Sequence, residues 1–158
     1  MESKSEAEII VKTLKRRGLT ISTAESLTGG GLGAALTDIP GSSAVYLGGL
    51  ITYSDVSKTK FLGIPRRTLN KYTAVSEQVA LEMAQSARAQ FKSDFAISTT
   101  GVAGPSSAYG QKKGTVWIAI DSKVGTTAVQ LALAGDRGQI RHATIESALA
   151  TFRRILIP

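Results

Sequence analysis

The chain has no cysteine. Disulfides, thiolate nucleophiles and cysteine-ligated zinc or iron–sulfur centres are therefore excluded. His142 is the only histidine. A histidine-built metal site is excluded as well, and a Ser–His–Asp triad would have to use that one residue. No metal and no cofactor are expected. Aromatic residues make up only 6% of the chain, which leaves few platforms for stacking single-stranded nucleic acid. No run approaches the roughly 18 consecutive apolar residues that a membrane helix needs. The opening stretch MESKSEAE is polar and has no apolar core of the kind a secretory leader carries. A cytoplasmic location and no membrane partner are expected.

What is present suits a soluble globular chain. Its 158 residues, 42% hydrophobic and 20% charged, fit one domain over residues 1–158, long enough to bury a core without covalent staples. The net charge is +7 and the pI about 9.9. The basic residues are scattered as Lys15-Arg16-Arg17, Arg66-Arg67, Lys112-Lys113 and Arg153-Arg154. That distribution reads as a solvated basic surface that attracts small anions, and no nucleic-acid partner is expected.

Helical and strand patterns alternate along the chain. Ser5 to Glu8 has capping-box spacing, Ile10, Val11 and Leu14 repeat at helical period, and Gly18 suits a stop, so 5–17 reads as a helix. Residues 19–25, LTISTAE, alternate and read as a strand. Gly31 to Asp38 reads as a helix. Ala44 to Ser54 reads as a strand in which Gly48-Gly49 marks a bulge or a close backbone approach. Asp55 to Leu62 reads as a short helix closed by Gly63 and Pro65. Ser76 caps a helix carrying Val79, Met83, Ala87 and Phe91. Residues 94–100 and 114–121 are strands around a glycine-rich loop, and Lys123-Val124-Gly125 turns into an antiparallel partner. Asp136 and Gln139 open a last helix bearing Ile145, Ala148, Leu149 and Phe152. This interleaving predicts a single-domain α/β fold, a three-layer α/β/α sandwich on a mixed, mainly parallel sheet.

Two clusters carry chemistry. In TAESLTGGG, residues 23–31, a glycine-rich turn joins a strand to a helix and exposes backbone N–H groups. Such a turn binds anions or a developing oxyanion. Gly29, Gly31 and Ala34 also satisfy a dinucleotide-binding spacing, though no phosphate loop is present. Ser26 reads either as a helix-capping serine or as a nucleophile, which would need a base, and lysine can serve when burial lowers its pKa. In ITYSDVSK, one helical turn brings Lys58 back toward Tyr53. The pair reads either as a proton-transfer couple or as an edge tyrosine beside a solvated lysine.

Several blocks extend the reading. TAESLTGG, GGLITYSDVSKTKFLGI, AVSEQVALEMA, TTGVAGP, GTVWIAI and GDRGQIR occur in this order. Together they resemble the CinA C-terminal domain family, the nicotinamide-nucleotide amidohydrolases, in its stand-alone form. The resemblance spans about residues 5 to 155. It implies hydrolysis of the carboxamide of nicotinamide mononucleotide to nicotinic acid mononucleotide and ammonia, without a metal. It implies Ser26 as nucleophile, Lys58 as base, and Tyr53 holding or relaying the proton. Backbone N–H groups around Thr28, Gly29 and Gly30 would stabilise the oxyanion. Thr100 and Gly101 would approach the ligand. Arg137 or Arg141 would hold the phosphate, since a guanidinium fork matches phosphate oxygens. Glu25 would orient a lysine or satisfy backbone donors.

The partner is thus a small nucleotide substrate, and a homodimer is the expected assembly. Leu27 stands where the family often has cysteine, and Pro105 to Gly110 reads PSSAYG where members commonly read G-P-D-G-G. The alternative is an inactive or altered-substrate paralogue acting as a nucleotide-binding or regulatory module.

Overall fold

A computed structural model describes residues 4–158; residues 1–3 of the polar N-terminal stretch lie outside the described residues. Helix α1 (Glu6–Arg17) starts where the Ser5 hydroxyl accepts the Glu8 amide, and ends at Gly18, whose φ of 66° sends its amide back to Leu14 and Lys15. The Glu8 carboxylate turns to Lys12. Strand β1 (Ile21–Glu25) follows, then α2 (Gly31–Thr37), β2 (Tyr46–Ile51), α3 (Asp55–Leu62) and α4 (Arg66–Tyr72). The second half runs α5 (Glu77–Phe91), β3 (Phe95–Gly101), β4 (Thr115–Ser122), β5 (Gly125–Ala132) and α6 (Arg137–Leu156).

The five strands form one sheet in the order β2-β1-β3-β4-β5. β1 pairs in parallel with β2 and β3, while β3–β4 and β4–β5 are antiparallel. Only β4 therefore opposes the common direction, and the expected mixed α/β sandwich is what the chain builds. One face is aliphatic: Ile21, Ile97, Val116, Ile118 and Ile120 pack against Ile10, Leu14, Leu32, Leu36, Ile140, Leu149 and Phe152 of α1, α2 and α6. The other face is small: Ala24, Ala96 and Ala119 lie under Val79, Met83, Ala84 and Ala87 of α5. Small side chains let that helix approach closely enough for the Ser98 hydroxyl to donate to the Ala80 carbonyl at 2.6 Å.

Three local readings change. The strand expected over 19–25 begins at Ile21, because the Leu19 amide bonds the Leu14 carbonyl and completes the end of α1. The strand expected over 44–54 narrows to Tyr46–Ile51, with a 3-10 turn over Ser42–Ala44. Helix α4 was not expected. Its RRTLNKY buries only Thr68 and Leu69, too little apolar repetition to register as a helical pattern. Of the bulge or close backbone approach expected at Gly48-Gly49, the close approach falls there and the bulge one residue earlier, at Leu47. The pairing slips between Ile21↔Tyr46 and Ser22↔Gly48. At Gly48, φ is 145° and a β-carbon would come within 2.7 Å of the Phe91 ring.

This topology places the site. From β1 the chain leaves to α2 on one face of the sheet; from the neighbouring β2 it leaves to α3 on the other. Where adjacent parallel strands send their connections to opposite faces, a crevice opens at their carboxyl ends. Ser26 and Thr52 sit there, one residue beyond β1 and β2, with Thr100 and Gly101 at the end of β3.

Candidate active site

A cleft of about 160 Å³ opens at that edge. Ser26, Tyr53, Lys58, Thr100, Gly101 and Arg137 line it, joined by Tyr109 from the loop between β3 and β4. Residues far apart in sequence therefore converge there.

Lys58 lies at the bottom, only 1% exposed. Its direction is fixed by the start of α3. The Ser54 hydroxyl accepts the Ser57 amide at 3.1 Å, and the Ser57 hydroxyl accepts the Ser54 amide at 3.1 Å. From there the Lys58 ammonium donates to the Ser26 hydroxyl at 2.9 Å, to the Thr52 carbonyl at 2.7 Å and, more weakly, to the Tyr53 carbonyl at 3.5 Å. Burial lowers its pKa from the ordinary 10.5 to about 8, opposed in part by the nearby Asp55 carboxylate. A carbonyl can only accept, whereas a hydroxyl can also donate. When Lys58 loses a proton, the contact with Ser26 is the one that can reverse. The fold thus aims a weakened ammonium at one hydroxyl.

Ser26 is 7% exposed and its amide bonds the Thr99 carbonyl at 3.0 Å. The turn behind it is tied down from α6. Arg141 donates from Nε to the Leu27 carbonyl at 2.9 Å and from Nη2 to the Thr28 carbonyl at 3.2 Å. The Thr28 hydroxyl meets that of Thr99 at 2.7 Å in the interior. His142 is exposed on α6, and the partner of the Ser26 hydroxyl is Lys58 rather than this histidine.

Residues 3–156 match the CinA C-terminal domain family. The chain belongs to that family. A Caldanaerobacter subterraneus protein named for competence-damage induction is 43% identical over 150 residues, covering 94% of this chain and 36% of that protein. The chain thus spans little more than a third of the curated relatives it matches. The crystal structure of the competence/damage inducible protein CihA from Agrobacterium tumefaciens superposes with a TM-score of 0.92 at 35% identity, covering 99% of this chain and 100% of that one. A CinA superfamily structure from Klebsiella pneumoniae 700603 gives 0.93 at 32% identity, covering 96% and 95%.

Within this CinA domain not every expected site residue reaches the cleft. Glu25 does not. Its carboxylate faces away into the start of α2, where Oε1 accepts the Leu32 amide at 2.8 Å and Oε2 accepts the Gly33 amide at 3.0 Å. The anion that a glycine-rich helix start attracts is thus the chain's own. This also removes the dinucleotide-binding reading, since a pyrophosphate would need those amides. Thr28, Gly29 and Gly30 lie behind the cleft in the turn, and the Gly29 amide is bonded to the Ser26 carbonyl. The amides of Leu27 and Thr28 carry no bond to a protein acceptor among the described residues. Arg141 braces the turn and does not line the cleft. Thr100 lines it, but its hydroxyl donates away to the Ala74 carbonyl at 2.7 Å.

The phenol of Tyr53 bonds neither Ser26 nor Lys58. It accepts from Arg137 Nη2 at 2.8 Å, while Arg137 Nη1 donates to the Gly104 carbonyl at 2.7 Å. Sequence reasoning passed over Tyr109 as a lining residue. An aromatic beside a glycine in an otherwise polar loop, SSAYG, was the available signal. No helix of the described residues is long and apolar enough to cross a membrane.

Proposed function

We propose that the chain hydrolyses the carboxamide of nicotinamide mononucleotide, releasing nicotinic acid mononucleotide and ammonia, with Ser26 as nucleophile and Lys58 as base. The observation that carries this reading is the buried contact of 2.9 Å between Lys58 Nζ and Ser26 Oγ, together with the depressed pKa of that lysine. A hydroxyl attacks an amide only when a base takes its proton, and a lysine titrating near neutrality can do so.

The steps follow from this pair. Neutral Lys58 takes the Ser26 proton as Oγ attacks the amide carbon. The amide of Leu27, which lines the cleft beside Ser26 and has no acceptor among the described residues, is the donor available to the oxyanion that forms. Lys58 then passes its proton to the departing nitrogen, and ammonia leaves an acyl-serine. Water attacks the ester with Lys58 again as base, and the carboxylic acid departs with Ser26 restored. Arg137 offers N–H groups beyond the two it commits to Gly104 and Tyr53, and these suit the phosphate. The cleft, about 160 Å³, is below the roughly 300–1,000 Å³ of ligand pockets. It suits the ring and its carboxamide, with ribose and phosphate along the open rim toward Arg137.

Ammonia release from nicotinamide mononucleotide tests the reading. Ser26→Ala and Lys58→Ala are each expected to reach a low floor, and the double variant little lower, because the two act as one unit. Lys58→Arg restores nothing, since a guanidinium holds its proton. Substantial turnover by Ser26→Ala would remove Ser26 as nucleophile. No turnover by the parent chain would favour the binding or regulatory module.

A further inference from the structure

We propose that Tyr53 is a positioning residue and not a proton relay: with the Gly104 carbonyl it holds the Arg137 guanidinium across the mouth of the cleft, ready for the phosphate of a nucleotide. The proposal rests on the nicotinamide-nucleotide reading for its substrate, and it ties Tyr53 to the phosphate of that substrate instead of to its carboxamide.

A relay needs its phenol within hydrogen-bond reach of the atoms that trade the proton. Tyr53 does not meet this requirement. The Lys58 ammonium reaches the Ser26 hydroxyl and the carbonyls of Thr52 and Tyr53. The phenol oxygen of Tyr53 instead accepts from Arg137 Nη2 at 2.8 Å. Tyr53 is 58% exposed at the wall, whereas Lys58 is buried at the bottom.

The strap joins three separate segments. Arg137 opens α6, where a reciprocal cap fixes its backbone. The Asp136 carboxylate accepts the Gln139 amide at 2.8 Å, and Gln139 Oε1 accepts the Asp136 amide at 2.9 Å. From that start the guanidinium bridges two walls. Nη1 donates to the Gly104 carbonyl in the β3–β4 loop at 2.7 Å, and Nη2 to the Tyr53 phenol just beyond β2. All three residues line the cleft.

Both acceptors are neutral, and Arg137 forms no ion pair among the described residues. Its charge is therefore steered without being neutralised. The two charged side chains that line the cleft, Lys58 and Arg137, are both cations, so the charge there favours an anion. An exposed arginine ordinarily loses rotamer freedom when it closes on a ligand. Two bonds made beforehand lower that cost. The fork carries more N–H groups than these two bonds use, and the rest match phosphate oxygens.

Tyr53→Phe tests this by removing one oxygen while keeping the ring and the backbone carbonyl. In the Ser26→Ala background, calorimetry gives dissociation constants for nicotinamide mononucleotide, nicotinamide riboside and ribose 5-phosphate. Tyr53→Phe is expected to weaken the two phosphate esters roughly three- to tenfold and the riboside by less than about twofold. In an Arg137→Ala chain the same change should add little, because Tyr53 acts through that side chain. With Ser26 in place, the loss should appear in KM for the mononucleotide. An equal fall in kcat for mononucleotide and riboside would restore the relay and overturn the proposal. Equal losses of affinity for those two ligands would do the same, making Tyr53 a wall and nothing more. A loss that persists in the Arg137→Ala chain also overturns it, since Tyr53 would then touch the ligand itself. If neither phosphate ester binds, Arg137 anchors no anion and the proposal falls. If ribose 5-phosphate shows the expected pattern but the nicotinamide ring adds no affinity, the nicotinamide-nucleotide reading falls and this proposal stands.

Discussion

Lys58 is among the largest of the fully buried side chains, and a buried ammonium leaves a signature in stability that does not depend on any substrate. Its pKa falls from the ordinary 10.5 to about 8 in the folded chain. At about 1.36 kcal/mol per pKa unit, that gap weighs about 3 kcal/mol against the folded state near neutral pH. The direction with pH is fixed. Below about 8 both states hold the proton and the penalty is constant. Between about 8 and 10.5 the unfolded chain still binds the proton that the folded chain has released, so stability rises with pH.

Moving from about pH 7 to about pH 9.5 should therefore recover about 2 kcal/mol. The perturbation is Lys58→Met, which keeps the length of the side chain and removes the charge. Urea unfolding of both proteins at the two pH values gives the comparison. Parent and variant share every other titrating group, including the tyrosines, so the difference between their pH slopes isolates Lys58. The parent is expected to gain about 2 kcal/mol relative to the variant over this interval. Parallel pH dependences would refute the reasoning: Lys58 would then keep an ordinary pKa, and its claim to be a base at neutral pH would go with it.

Turnover by the parent should climb as pH rises through about 8, tracking the loss of the Lys58 proton, and the midpoint of the ammonia-release profile checks this. Arg141→Ala removes two bonds that brace the Ser26 turn; a loss of roughly 1.5–3 kcal/mol in urea unfolding is expected, since these are charged hydrogen bonds. Arg137→Ala should weaken the mononucleotide about tenfold or more and spare the phosphate-free riboside; equal losses measured by calorimetry would place the phosphate elsewhere. Gly114→Ala should abolish soluble expression, because φ there is 88° and a β-carbon would stand 1.9 Å from the Leu133 carbonyl oxygen.

Much of the fold was legible because it is written in short-range signals. Asp136 and Gln139 form the expected reciprocal cap of α6, and Ser76 caps α5. Gly18 ends α1 with positive φ, and the antiparallel pair after Val124 follows its turn. Each depends on residues within about one helical turn or one hairpin of each other. Helix α4 escaped because it is short and buries little. The reciprocal Ser54–Ser57 cap escaped because serine is a weaker signal than glutamate at that position. Ser26 and Lys58 could be singled out as candidate residues, but the choice between helix cap and nucleophile stayed open on local pattern alone.

The sequence by itself determined the α/β class, the order of the main elements apart from α4, and the chemistry that is unavailable, since a chain without cysteine and with one histidine cannot supply what it lacks. Only the tertiary structure decided which candidates meet. Lys58 reaches Ser26 across 32 residues, Tyr53 finds Arg137 across 84, and Arg141 reaches Leu27 across 114. It also turned Glu25 away from the cleft and into the start of α2. The physical reason is one of range. Propensity, capping and turn chemistry act over a few residues. Burial, and with it the pKa of Lys58, depends on which surfaces the sheet brings together, and no local stretch of sequence contains that information.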